Sequence, residues 1–420
     1  MADDLQSYVM VLPVPMRRID EHRFAAEGSF VSHLMLLREK LGELGRRMVI
    51  VSPELSAEHY ERMKSGLAVV DEKEAGIRFR PAFPAFIGNL TYARHAPKVL
   101  AILREEIANA SIVHSGGSPL YQPFEIAALV IARAMGKKTI FVTDIDQRES
   151  ARMNYKTGRW NARQYWTNKL LHIPYYNAMH MFAARAFSLV LLKGGDLARD
   201  FGEGRPHVHD FLDSAFSEKH IIGDERMSAK LAVARDPAQP LKLVYFGRLT
   251  AYKGIDHMLR ALRKALDRGA APVELHLIGG GEQQAELEAL VKELQLQAHV
   301  LFRGVIPFGE QLFDALYDLH VLLAAPLSED TPRSALDAMA SGLSLIAYDT
   351  YYYRDLAAMT DSVALVPWLD QEALASAIVT LAHDRKRLCN MMEQSRTASF
   401  ANTQEIWLDR RVEWTRALVG

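Results

Sequence analysis

At 420 residues the chain is too long for one ordinary hydrophobic core, and two domains of roughly 200 residues each are expected. Its 49% apolar and 24% charged composition is that of a water-soluble globular protein, and 50 Lys+Arg against 51 Asp+Glu leave a net charge of −1, which excludes a dedicated nucleic-acid binder. The single Cys389 excludes an internal disulfide, the acidic opening Met-Ala-Asp-Asp does not read as a signal peptide, and no apolar run nears the roughly 20 residues of a transmembrane helix, so a cytoplasmic protein is expected.

Residues 8–14 read as the first strand, ended by Pro13 and Pro15. A polar loop, 16–27, carrying Arg17, Arg18 and Arg23, leads to Gly28 and a helix reaching Leu44, and residues 48–52 form the next strand. Strand, glycine-containing loop, helix and strand open a Rossmann-like domain. Gly28 is either part of a ligand loop or an ordinary turn glycine. Further on, Ser111-Ile-Val-His-Ser-Gly-Gly117 follows another strand, and the N–H groups of Gly116 and Gly117 can approach a ligand closely. Residues 139–143 are a strand that ends in Asp144-Ile-Asp146. These carboxylates either bind a metal or orient an acceptor hydroxyl at the cleft-facing strand end. Residues 148–184 interleave Arg152, Arg159, Arg163 and Lys169 with Tyr155, Trp160, Tyr165 and Trp166. That pattern suits an anionic membrane surface or a lipid-linked acceptor, and equally a helical pair with a solvated basic face. Residues 188–192 are expected to be the last strand of this domain, and 202–225 an irregular interdomain linker.

The second domain opens on Leu241-Lys-Leu-Val-Tyr-Phe-Gly-Arg248, followed by Lys253-Gly254. Arg248 offers a planar fork and Lys253 a mobile point charge, a pairing suited to a diphosphate. Residues 273–278 form a strand ending in Gly279-Gly-Gly-Glu282. The stretch Ser328-Glu-Asp-Thr-Pro-Arg-Ser-Ala-Leu-Asp-Ala-Met-Ala-Ser-Gly342 lies between two apolar runs, 321–325 and 343–347, as in a βαβ unit. Thr331 is expected to cap its helix, Pro332 to fill the first turn and Gly342 to close it. On that helix Arg333, Ser334 and Asp337 share one side, while Leu336, Met339 and Ala340 face the sheet. Glu329 lies just before it, so two carboxylates flank a helix N-terminus that favours phosphate. One acid can hold hydroxyls of a sugar beyond the phosphate and the other a ribose diol; the plain alternative is a surface acid on a solvated helix face.

Glu329, seven intervening residues, an acid and then Ala-Met-Ala-Ser-Gly342 resemble the E-x7-E signature of retaining glycosyltransferases of family 4, which have the GT-B fold. Gly-Arg248 with Lys253-Gly254, the glycine turn at 279–281 and the segment 300–306 fall in the order the family has them. The resemblance implies that Gly247, Arg248, Lys253, Gly279, Gly280 and Ile306 bind the donor with Glu329, Arg333, Ser334 and Asp337, and that Gly28 lies near the donor phosphates. It also matches His114 to the first of two family histidines, the second of which lies near the reacting sugar, and makes His114 a catalytic candidate, with packing or loop hydrogen bonding as its other role. Asp337 stands where the family has Glu, Gly116 where it has the second histidine, and Asp330-Thr331-Pro332 where many members have a glycine and an aromatic residue. Tyr351-Tyr-Tyr-Arg-Asp355 replaces a usual Gly-Gly before an acid; its rings offer stacking faces for a sugar, or pack in the core or at the rim.

The sequence reading is therefore an α/β protein of two Rossmann-like domains whose parallel sheets face a cleft. Residues 1–220 would bind the acceptor, 221–394 the nucleotide-sugar, and 395–420 would form a helix crossing back to the first domain. Transfer of a sugar from a UDP- or GDP-linked donor to a glycan or lipid-linked acceptor, with retention, is expected. His114, Asp144, Arg248, Lys253 and Glu329 would serve the chemistry, without metal or other cofactor, in cell-envelope glycan synthesis. Peripheral contact with an anionic membrane is one reading of the basic aromatic segment. The other function class is a catalytically silent scaffold of the same fold that binds nucleotide-sugar.

Overall fold

The structure is a computed structural model that describes residues 7–143, 147–270 and 272–419. The first half carries β1 (Ser7–Val11), β2 (Arg17–Arg18), β3 (Arg23–Glu27), β4 (Met48–Glu54), β5 (Leu67–Asp71) and β6 (Ile77–Pro84). It continues with β7 (Ala110–Gly116), β8 (Lys138–Thr143), β9 (Leu189–Leu192) and β10 (Val208–Asp210). Seven of these form one parallel sheet in the order β10-β9-β8-β7-β1-β4-β6. Both faces are covered, and the side-chain alternation of a strand divides its residues between two cores. Val9, Val11, Val49 and Val51 enter one, while Tyr8, Met10, Met48 and Ile50 enter the other.

The second half has β11 (Leu241–Phe246), β12 (Val273–Ile278), β13 (Val300–Gly304), β14 (Val321–Ala324), β15 (Ser344–Tyr348) and β16 (Val363–Val366). They form a six-stranded parallel sheet, β13-β12-β11-β14-β15-β16, around one continuous apolar core. Both units are Rossmann-like. Phe211 belongs to the first core and Leu212 already to the second. The helix Gln404–Arg416 returns to the first half, where Leu408 and Val412 are buried, Trp414 stacks on His209 at 4.1 Å and Lys40 pairs with Asp409 at 2.5 Å.

Three expectations are corrected. The segment 16–27 is not a loop: β2, β3 and β5 form a small antiparallel sheet, because Phe24, Ala25 and Ala26 are buried against β5. Its arginines are engaged there, Arg17 donating to the Leu55 carbonyl, Arg18 pairing with Glu72, and Arg23 with Asp20. The segment 202–225 includes β10, an edge strand whose three residues pair with β9 and are too few to show a period. The helix after β14 is Arg333–Ala340, with Pro332 as its N-cap and no side-chain cap, since Pro332 has an extended backbone (ψ 126°). Among the described residues no helix is long and apolar enough to cross a membrane.

Candidate active site

In a parallel sheet the neighbours of the first strand depart in opposite directions, leaving a crevice at the carboxyl ends of the strands. Here the two crevices lie between β1 and β7 and between β11 and β14. Both open into one cavity of about 970 Å³, lined by Leu12, Pro13, Gly116 and Gly117 from the first sheet and by Gly247, Arg248 and Thr331 from the second. The sheets therefore face each other across a cleft.

The floor on the second side is a set of tied turns. Gly247 donates to the Ile278 carbonyl at 3.0 Å, Leu249 to that of Gly280 at 3.0 Å, and Gly279 to that of Gly304 at 2.8 Å. A Cβ on Gly279 would lie 1.9 Å from the Gly247 carbonyl oxygen, so the turn needs glycine for its own packing. Ile306 follows β13 in the neighbouring loop and is half-buried. Tyr245 donates its hydroxyl to the Arg248 carbonyl at 2.8 Å, and Arg248 in turn donates to the Tyr252 hydroxyl at 3.1 Å. Lys253 points into the cleft and is ion-paired with Asp330, the residue standing where a glycine was expected. Gly254 has φ 65° and no room for a side chain beside Ala325, which fixes the turn that presents Lys253.

The two family-like acids are separated. Glu329 accepts from the Tyr351 N–H at 3.0 Å and lines a small neighbouring cavity of about 140 Å³ with Arg152, Arg354 and Trp368. Asp337 is buried on the helix Arg333–Ala340, and its Oδ1 has no hydrogen-bond partner. Burial pushes its carboxyl up to about 7, with Arg333 opposing the rise and Asp213 adding to it. Ser334 lies beside Lys253 and Asp330. Of the tyrosines at 351–353, Tyr352 and Tyr353 are in the core, Tyr352 donating to the Pro332 carbonyl at 2.9 Å, so neither offers a stacking face.

On the first side His114 lines the cleft at the end of β7, its Nδ1 2.8 Å from the Tyr8 hydroxyl. Burial, helped by Arg411 and His33, holds the imidazole down at about 3, so it is neutral. Glu27 and Phe30 flank Gly28 at the cleft wall, while Gly28 begins the helix Gly28–Leu41 with ordinary space around it. Asp144 and Asp146 lie outside the described residues. Four cleft residues had no signal in the sequence: His33, Lys193, Asp213 and Arg411 come from separate elements, and only folding brings them together.

Residues 229–398 match the family model described as glycosyl transferases group 1. The fold is GT-B. A crystal structure of Anabaena HepE in complex with UDP superposes with a TM-score of 0.63, covering 98% of this chain and 99% of that one at 12% identity, a likeness of fold. The 2-deoxystreptamine glucosyltransferase of Streptomyces kanamyceticus is 28% identical over 141 residues, 34% of this chain and 35% of that protein. The amylovoran biosynthesis glycosyltransferase AmsK of Erwinia amylovora is 28% identical over 167 residues, 38% of this chain and 40% of that protein. The matched part thus spans less than half the length of these curated relatives.

Proposed function

We propose that the chain is a retaining glycosyltransferase of family 4 that moves a sugar from a UDP- or GDP-linked donor to an acceptor hydroxyl in the assembly of a cell-envelope glycan or glycolipid. The observation that carries this reading is the position of Arg248 and Lys253 at the crevice of the second sheet, facing the crevice of the first across a cavity of nucleotide-sugar size. The named relatives, a glucosyltransferase and an amylovoran biosynthesis glycosyltransferase, and the UDP in the HepE structure, support it.

In the step proposed, the bond between the anomeric carbon and the diphosphate oxygen breaks. The acceptor oxygen bonds to that carbon on the same face, and its proton passes to the departing phosphate oxygen. Arg248 and Lys253 take up the charge that develops on the diphosphate, the part a divalent metal plays elsewhere, so the reaction is metal-independent. Glu329 holds hydroxyls of the donor sugar, the unpartnered Oδ1 of Asp337 accepts from the ribose, and neutral His114 hydrogen-bonds near the reacting sugar. Asp144 is assigned to the acceptor hydroxyl. Trp166, Leu170 and Leu171, all exposed on the basic aromatic segment, favour peripheral docking of the enzyme on the inner leaflet, close to a lipid-linked acceptor.

The test is a panel of UDP- and GDP-sugars in thermal shift and native mass spectrometry, followed by release of nucleotide with and without acceptor. Stabilisation by a nucleotide-sugar with turnover is expected; no response to any donor would overturn the reading. One observation favours the silent scaffold as a second reading, namely that Asp330 already neutralises Lys253. Asp330→Asn separates the two. In an enzyme tuned to release its product it tightens UDP binding several-fold and slows turnover, whereas in a scaffold it changes binding alone, with no turnover before or after.

A further inference from the structure

The cleft is lined by cations beyond the two assigned to a donor diphosphate. Beyond Arg248 and Lys253 it is lined by Lys193, just past β9, by Arg333 at the start of the helix Arg333–Ala340, and by Arg411 on the crossing helix Gln404–Arg416. Asp213 sits among these three, Asp337 is close enough to Arg333 for their charges to interact, and Glu27 and Glu125 line the same cavity. Lys193 is buried and its Nζ is 3.9 Å from Asp213 Oδ2, longer than a hydrogen bond. Burial would raise the Asp213 carboxyl, yet Lys193, Arg333, His33 and Arg411 together hold it below its usual range. Burial, then Arg411 and Arg333, hold the His33 imidazole down at about 4 against the opposing pull of Asp213. Among the described residues neither guanidinium has a hydrogen-bond or ion-pair partner, although Arg411 lies over the Phe211 ring at 5.3 Å.

Of the Lys, Arg, Asp and Glu side chains lining the cavity five are cations and three are carboxylates, in a partly enclosed space where charge is poorly screened. Guanidinium groups without protein partners present planar forks to an oxyanion. We infer that Lys193, Arg333 and Arg411 form a second anion subsite, separate from the diphosphate site, that recognises a carboxylate or phosphate group carried by a substrate. The inference rests on the proposed transfer reaction and names a chemical class for its substrates. The anion comes from one of two sources, a charged donor sugar or a charged acceptor. Because Arg333 and Arg411 lie on opposite sides of the cleft, an anion between them also holds the crossing helix to the donor half.

Isothermal titration calorimetry on the full chain distinguishes the sources. UDP, UDP-glucose and UDP-glucuronic acid are compared first; the last two differ by one carboxylate. Glucose, glucose 6-phosphate and glycerol 1-phosphate are then titrated with and without saturating UDP. A preference of about tenfold for UDP-glucuronic acid over UDP-glucose assigns the subsite to the donor. Binding of a sugar or glycerol phosphate in preference to glucose assigns it to the acceptor. In either arm Arg411→Met should remove the preference while UDP itself binds as before, and Arg411→Lys should restore part of it. If Arg411→Met does not fold, Lys193→Met makes the same measurement. No anion preference in any arm, or an equal loss of UDP binding in Arg411→Met, would overturn the second subsite. UDP binding in the unaltered chain reports separately on the transferase reading. The titrations without UDP test the anion subsite even if UDP does not bind.

Discussion

On the second half of the cleft, turns after adjacent strands are joined backbone to backbone, and glycines at 247 and 279 pack directly against each other's main chain. On the first half the wall is made of side chains, His33, His114, Lys193 and Asp213, that arrive from different helices, strands and loops and are held by burial and charge. The first kind of construction depends on a few residues close in sequence and tolerates little change. The second places its groups by packing alone, so its chemistry can be altered residue by residue without disturbing the strands beneath. The family-model match, residues 229–398, falls on the half with the first kind of construction.

The comparison can be broken most directly at its functional extremes. If the donor turns exist to hold a diphosphate, Arg248→Ala and Lys253→Ala should each reduce transfer by about 10²- to 10³-fold with unfolding transitions unchanged. Near-normal turnover in either variant would remove the assigned site. A stability measurement sharpens the contrast next. Gly279→Ala should cost about 3 kcal/mol or more, because its Cβ meets the Gly247 carbonyl and φ is 139°. Gly28→Ala, whose Cβ would make only ordinary contact with the Gly66 carbonyl oxygen at 3.6 Å, should stay within about 1 kcal/mol of the original. Equal effects in chemical denaturation would mean that the two halves are not built differently.

A smaller effect is expected with pH. Asp337 titrates near 7 in the folded chain against an ordinary 3.8. Between those values the unfolded chain has lost a proton that the folded chain keeps, so stability falls as pH rises from about 4 to 7 and is level beyond. The contribution is at most about 4 kcal/mol for a shift of this size. Asp337→Asn should remove this component, so that its melting temperature relative to the original chain rises between pH 5 and pH 8. A constant offset across that range would place the Asp337 carboxyl in an ordinary environment. The smallest effect concerns the outer surface of the first half. Leu170, 71% exposed, and Trp166, 50% exposed, lie beside Lys169, whose ammonium stacks on Trp166. Arg152 is paired with Glu149 and Arg159 lies over Tyr252, so fewer free cations face outward than the sequence suggests. Sedimentation with anionic liposomes should therefore be modest, partly salt-resistant and reduced by Leu170→Asp. Equal, negligible pelleting with anionic and neutral liposomes at low and high salt would exclude membrane docking and leave the transferase reading intact.

Much of the fold was legible because parallel strands buried on both faces are written as short apolar runs, and those near residues 8, 48, 139, 241, 273, 321 and 344 all lie in strands. Among the strands that escaped, β2 and β10 have too few residues to show a period, β3 and β5 belong to the small antiparallel sheet, and β6 and β16 lie at sheet edges. Arg248, Lys253 and the helix Arg333–Ala340 could be placed on the cleft from sequence because a strand end, a glycine and a helix start fix direction within a dozen residues. Their surroundings could not be read. Asp330 closing on Lys253, Glu329 turning to the Tyr351 N–H, and Asp337 losing water altogether are set by which surfaces meet. Local backbone geometry, encoded by neighbours in the chain, determined the two sheets and the donor turns. The charge state of the cleft was decided only by tertiary structure, because burial and Coulomb interactions depend on distance through space and bring Lys193, Asp213, Arg333 and Arg411 together from four separate parts of the chain.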